Sequence, residues 1–182
     1  MPELWLVRHA TPQVAPGLCY GALDVPAEPD ATAEAAARLA AALPHGMHVH
    51  CSPRRRCRQL AEALQAHRPE LVIEDDARLA EMDFGHWEGQ TWDAIGQAAL
   101  DAWLADFATH APGGGDNVTA FLRRVAAAYD EVRAAMAPTL WITHAGVIRA
   151  TQLLARGQRT VTRADEWPCD AVPFGQWTRL AT

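Results

Sequence analysis

The sequence contains no lysine; all 16 of its Lys-or-Arg positions are arginine. That absence excludes a P-loop lysine, a Schiff-base lysine and a lysine general base. Phosphate or carboxylate would have to be met by guanidinium forks, backbone N–H groups or imidazolium. Cysteine is sparse too. Cys19, Cys51, Cys57 and Cys169 are scattered and form no CxxC pair, which argues against a thiolate zinc site. The opening MPELWLVRHATP lacks a basic stretch followed by a long apolar one, and no run approaches the length of a membrane span. The expectation is a cytoplasmic protein with reduced thiols. A formal charge of -6 disfavours nucleic acid or an anionic membrane as the partner.

What is present is an ordinary globular balance, 49% hydrophobic and 21% charged over 182 residues, expected to form one domain spanning 1–182. Leu4-Trp5-Leu6-Val7 reads as a buried strand that stops at Arg8-His9. The spacing then predicts an irregular 13–30, a helix over Ala31–Leu43 and a strand over Met47–Cys51. A helix from Ser52-Pro53 to His67 follows, with Ser52 as its cap, and then a strand over Leu71–Ile73. Further on come a loop over 79–91, a helix over 91–105 and a helix capped by Asp116 or Asn117 running to Ala135. Leu140–Thr143 is a strand, Val147–Ala155 a helix, and the tail with Trp177 a last strand. Strands alternating with helices imply an α/β fold: three layers, a mostly parallel central sheet with helices on both faces.

In such sheets ligands bind beyond the carboxyl ends of the strands. Three of those ends carry polar groups: Arg8-His9, the run Ser52 to Arg58, and His144. Two imidazoles with several arginines suit a dianionic phosphoryl group. One neutral imidazole can attack phosphorus while the second, if cationic, shares the charge of the phosphoryl oxygens with the guanidinium groups.

Four segments in this order resemble the histidine phosphatase superfamily, also called phosphoglycerate-mutase-like. They are Leu6-Val7-Arg8-His9, Ser52-Pro53-Arg54-Arg55-Arg56-Cys57-Arg58-Gln59, Leu79-Ala80-Glu81 with Gly85-His86-Trp87-Glu88-Gly89, and Thr143-His144-Ala145-Gly146-Val147-Ile148-Arg149. Gly114-Gly115-Asp116-Asn117 is similar to the family's Gly-Gly-Glu-Ser helix start. The resemblance implies His9 as the phosphorylated nucleophile, Arg8 and Arg56 as phosphate clamps, and His144 as the second pocket histidine. It implies Glu81 as proton donor to the leaving oxygen and then as base for water. No cofactor and no metal are implied, and the partner is a small phosphomonoester. The length places the chain in the short phosphatase branch; a mutase-type phosphotransferase and a non-catalytic phospho-ligand binder are the alternatives. Gly17-Leu18-Cys19-Tyr20-Gly21 with Asp24 resembles α-ribazole phosphatases. Thr11, Tyr20, Gly21 and Ala145 are accordingly candidate substrate contacts.

The sequence departs from the family in two places. Where the family has Arg-His-Gly-Glu-Thr, this chain has Arg8-His9-Ala10-Thr11-Pro12, and Ala15 stands where an Asn is expected, which leaves the Thr11 hydroxyl as a replacement contact. His-Gly-Gly has become His144-Ala145-Gly146.

Simpler readings apply to several residues. Arg54, Arg55 and Arg58 belong to a solvated helix face, Arg58 being intermediate, and only Arg56 is assigned to the pocket. Asp83 and Glu88 are surface or supporting residues, and Trp87 is a candidate for the pocket mouth. His48-Val49-His50 could pair on a metal, but no third ligand is evident. Cys51 followed by arginines superficially resembles a cysteine phosphatase loop; it lacks the glycine, and Arg58 falls one residue too late.

Overall fold

The computed structural model describes residues 3–181. Its elements in chain order are β1 (Glu3–Arg8), α1 (Pro29–Ala42), β2 (His48–Cys51), α2 (Arg55–His67), β3 (Ile73–Asp75), α3 (Trp92–Ile95), α4 (Gln97–Ala105), α5 (Val118–Ala135), β4 (Thr139–Thr143), α6 (Ala145–Ala155) and β5 (Trp177–Ala181). The sheet order is β3-β2-β4-β1-β5. All pairings are parallel except that of β5, which runs antiparallel to β1. This is the expected α/β architecture.

Helices cover both faces, so the central strands are apolar on both sides. In β1, Leu4 and Leu6 enter one core with Trp141 and the apolar faces of α5 and α6. Trp5 and Val7 enter the other core with Leu140, Ile142 and the faces of α1 and α2. The period of two along each strand thus divides one apolar run between two cores. Burying each of these side chains fully is worth about 1.5–3 kcal/mol.

Several local expectations shift. β3 lies two residues later than the apolar triplet Leu71–Ile73, because Leu71 is drawn into the core under α2. The predicted helix over 91–105 is broken at Gly96, whose φ of 86° no helix accommodates. α2 begins at Arg55, with Arg54 at its cap position, so Ser52 is not the cap. Asn117 does cap α5, its side chain accepting from the Ala120 N–H at 2.8 Å. All four cysteines are free thiols. Among the described residues, no helix is long and apolar enough to cross a membrane.

Candidate active site

The sheet register builds the site. Arg8 at the end of β1 pairs with Thr143 at the end of β4, so the next residues, His9 and His144, emerge side by side. The His9 N–H donates to the Thr143 carbonyl at 3.1 Å, and the ring centroids of the two histidines lie 5.2 Å apart. β2 flanks β4 on its other side, and Ser52 just beyond it completes the row. Its hydroxyl oxygen is 2.7 Å from His144 Nε2. Ser52 therefore fixes an imidazole rather than a helix start. Ser-Pro before a helix is a local signal for a cap, while the contact to His144 spans 92 residues and leaves no local mark.

Both histidines are buried, His9 to 2% exposure and His144 to 0%. Burial and the neighbouring Arg56 charge push the His9 imidazole down to about 3. Burial, again with Arg56, drives His144 well below its ordinary value. The condition that the second imidazole be cationic is thus disfavoured in the resting protein, and the guanidinium groups carry the positive charge. His9 Nδ1 sits 2.7 Å from the Ala10 carbonyl oxygen. A carbonyl can only accept, so Nδ1 holds the proton and Nε2 keeps its lone pair.

Arg56 is fully buried and donates to the carbonyls of Gly21 (2.7 Å) and Leu23 (2.9 Å). Arg8 donates to the Val172 carbonyl at 3.0 Å and stacks on Phe174, 3.7 Å from the ring centroid. Among the described residues, three buried guanidinium N–H groups have no hydrogen-bond partner: the Nε of Arg8, Arg54 and Arg56. Unpartnered buried cationic donors are costly unless an anion satisfies them. Arg54, expected on a solvated face, instead contributes a buried Nε, because the chain turns at Pro53 before α2 begins. Arg55 and Arg58 do lie exposed, and Arg58 pairs with Asp75.

Glu81 approaches from a segment that pairs with no strand. Its carboxylate accepts from the N–H of Gly146 and of Met82, both at 3.1 Å. A Cβ at position 146 would meet that carboxylate, so any larger residue there displaces the Glu81 side chain. The backbone around Glu81 is gripped by Arg124 of α5, which donates to the carbonyls of Ala80 (2.7 Å), Arg78 (2.9 Å) and Glu81 (3.4 Å). Arg124 also reaches Asp116 (3.2 Å), whose backbone N–H donates to the Asp83 carbonyl at 2.8 Å. Glu88 proves to be a tie between loops, accepting from the N–H of Ala22 (2.7 Å), Phe84 (2.9 Å) and Leu23.

Of the candidate substrate contacts, Tyr20 lies 5.3 Å from the Arg56 guanidinium carbon and Gly21 holds Arg56 through its carbonyl. Ala145 opens α6 directly after His144. Thr11 is exposed at the rim, its carbonyl accepting from the Glu28 N–H at 2.7 Å. Trp87 does not line a mouth; it is 6% exposed within a cluster with Trp92 and Trp103. Cys51 is buried and its thiol pushed far up by that burial, so it supplies no thiolate. Among the described residues, no group of three or more His, Cys, Asp or Glu is placed to hold a metal ion.

Sequence reasoning missed the segment 172–176. Its Val172 carbonyl and Phe174 ring hold Arg8, and the Gly175 N–H donates to the carbonyls of Arg8 (3.1 Å) and His9 (3.0 Å). Nothing local marks Phe174 as a site residue. Its role arises only because β5 returns antiparallel beside β1.

Residues 4–171 match the histidine phosphatase superfamily (branch 1). Mycobacterial glucosyl-3-phosphoglycerate phosphatase, solved with VO3, is 25% identical, with 100% of this chain and 91% of that one covered and a TM-score of 0.83. The same enzyme solved with inorganic phosphate gives 25% identity, 100% and 90% coverage and a TM-score of 0.81. A Thermus thermophilus protein, TTHB049, is 30% identical over 97% of this chain and 92% of its own, with a TM-score of 0.73. No curated protein matches the chain. With its sheet, its paired strand-end histidines and a match over nearly its whole length, this chain belongs to the histidine phosphatase superfamily, branch 1.

Proposed function

We propose that this phosphatase hydrolyses a small phosphomonoester by passing the phosphoryl group through His9. The observation that carries the reading is the Nδ1–H bond of His9 to the Ala10 carbonyl, 2.7 Å long, in an imidazole held neutral by burial. It leaves Nε2 as a free base directed away from its own backbone. In the first step Nε2 bonds to phosphorus, the P–O bond to the alcohol breaks, and Glu81 gives a proton to the leaving oxygen. In the second step Glu81 takes a proton from water, whose oxygen bonds to phosphorus as the P–N bond breaks. Arg8 and Arg56, with Arg54 beside them, meet the charge on the phosphoryl oxygens, and His144 lines the same pocket.

The test is a brief incubation with phosphomonoester followed by quenching at alkaline pH and mass spectrometry. Phosphate on His9 is expected; phosphate on Cys51, or none during steady turnover, overturns the reading. Release of inorganic phosphate, rather than transfer to a second metabolite, separates hydrolysis from a mutase-type phosphotransfer. Absence of any turnover points to a phospho-ligand binder. α-Ribazole phosphate belongs first in the substrate panel because of the segment Gly17–Gly21 with Asp24. Glucosyl-3-phosphoglycerate, the substrate named for a structural neighbour, belongs next.

A further inference from the structure

Beside Glu81 the protein forms a partly open cavity of about 220 Å³. Glu81, Gly146 and Arg149 line it together with an aromatic set: Phe84, Trp103, Phe107, Phe121 and Trp167. The rings form one connected surface. Trp103 stacks on Phe107 at 5.6 Å with an interplanar angle of 23°, and Phe84 meets the edge of Trp103 at 5.9 Å. Trp167 crosses Phe107 at 6.2 Å and Phe121 at 6.4 Å. These residues come from three separate places: the loop after Glu81, the helices α4 and α5 with the turn between them, and the segment before the tail. Ordinary core packing would have closed the space between so many large rings.

The position of the cavity decides what it can hold. Glu81 is the group that faces the leaving oxygen under the proposed function, on which this inference rests. A space that Glu81 lines, with neither His9 nor His144 in its wall, is where the alcohol half of the ester would extend. The chemistry of its wall then selects among alcohols. Among the described residues the buried Trp103 indole N–H has no hydrogen-bond partner, and it is a single donor in an otherwise apolar aromatic wall. Arg149 spends its Nε and one Nη2 donor on the carbonyls of Asp170 (3.4 Å) and Cys169 (2.9 Å). A sugar or polyol placed here would lose the water on its hydroxyls and gain few bonds in return. A planar aromatic ring would gain stacked and edge-on contacts on several sides. We infer that the preferred substrates are phosphate esters of alcohols bearing an aromatic ring, and that the ring seats in this cavity.

The experiment compares two alkyl esters whose leaving alcohols have closely similar acidity: 2-(2-naphthyl)ethyl phosphate and propyl phosphate. Equal acidity removes the chemical step as the source of any difference. The expected result is a kcat/KM higher for the naphthyl ester by roughly 10- to 100-fold, the effect of burying one large apolar group. In Trp103→Ala the ratio should fall toward parity. Should that variant not fold, the unaltered protein still answers. 2-(2-Naphthyl)ethanol should inhibit turnover of propyl phosphate competitively, and glycerol at the same concentration should not. Equal kcat/KM for the two esters, or no inhibition by the naphthyl alcohol, overturns the inference and leaves the phosphatase reading standing. No turnover of either ester overturns this inference alone, because the phosphatase reading is decided by turnover of the wider substrate panel.

Discussion

His9 and His144 leave the ends of adjacent parallel strands, whereas Glu81 lies in a segment that no strand pairs. The two histidines inherit their separation from the Arg8–Thr143 register, one part of a ladder that runs the length of β1 and β4. Moving either would break sheet hydrogen bonds and disturb two cores. The Glu81 segment has no ladder. It is held by the fork of Arg124, by the Asp116 exchange with Asp83 and by the close fit of its carboxylate over Gly146. The phosphate side of the site is thus fixed by the fold itself, and the acid side by a few side-chain bonds over long sequence distances. Single substitutions should separate the two sides functionally.

Glu81→Gln tests the division most strongly. Leaving-group protonation matters when the alcohol is a poor leaving group, so alkyl phosphates should slow by on the order of 10²–10⁴-fold in the phosphorylation step. A nitrophenyl phosphate, whose phenolate leaves unaided, should slow far less. Single-turnover rates isolate that step from the later attack of water. Equal defects for both esters would mean that Glu81 only shapes the pocket.

Gly146→Ala should give the same pattern at lower amplitude. The added Cβ meets the Glu81 carboxylate without touching His9, so alkyl esters should slow by on the order of 10²-fold while inhibition by vanadate is preserved. Loss of vanadate inhibition would show that the two sides are not separable.

Arg124→Ala should act through the backbone of the Glu81 segment. Removing the fork leaves carbonyls of Arg78 and Ala80 without a donor, costing about 1–3 kcal/mol of stability by chemical denaturation. The alkyl-to-nitrophenyl rate ratio should fall roughly 10-fold, a loss of placement rather than of chemistry. An unchanged ratio in the folded variant would confine Arg124 to stability.

The smallest effect concerns the histidine side. His9 titrates near 3 in the folded protein against about 6.5 when unfolded, and His144 is likewise depressed. Between those values the unfolded chain binds protons that the native chain refuses. The histidine contribution is therefore complete above about pH 6.5 and declines as pH falls through that range toward about 3. The paired carboxylates Asp76 and Glu131, with depressed values, add their loss at the acid end of that range. His144→Asn should flatten the slope of melting temperature between about pH 6.5 and 4.5; an unaltered slope would mean that His144 is protonated in the native state.

Much of the histidine side is legible in the sequence because its signals are local. An apolar run ending in Arg8-His9, and another ending in Thr143-His144, announce strand ends within a few residues. Glu81 is legible only through the neighbouring motif, since nothing in its own surroundings predicts what holds it. Arg124 carries no signal within its helix, Ser52 reads as a cap, and Arg54 reads as solvated. Ser52 and Arg124 act across the chain, Ser52 over 92 residues and Arg124 over 43 to 46.

The sequence by itself determined the element types, the two-faced burial of β1 and β4, and the exclusion of lysine chemistry. These depend on side-chain period and residue type, which act over one or two turns of chain. The tertiary structure alone decided that β4 lies between β1 and β2, which brings Ser52, His144 and His9 into one row. It alone decided that β5 returns beside β1 and lays Phe174 on Arg8, and that aromatic side chains from three separate segments line one cavity beside Glu81. Strand order and loop return are settled by the packing of whole layers against one another, a global condition that no short segment encodes.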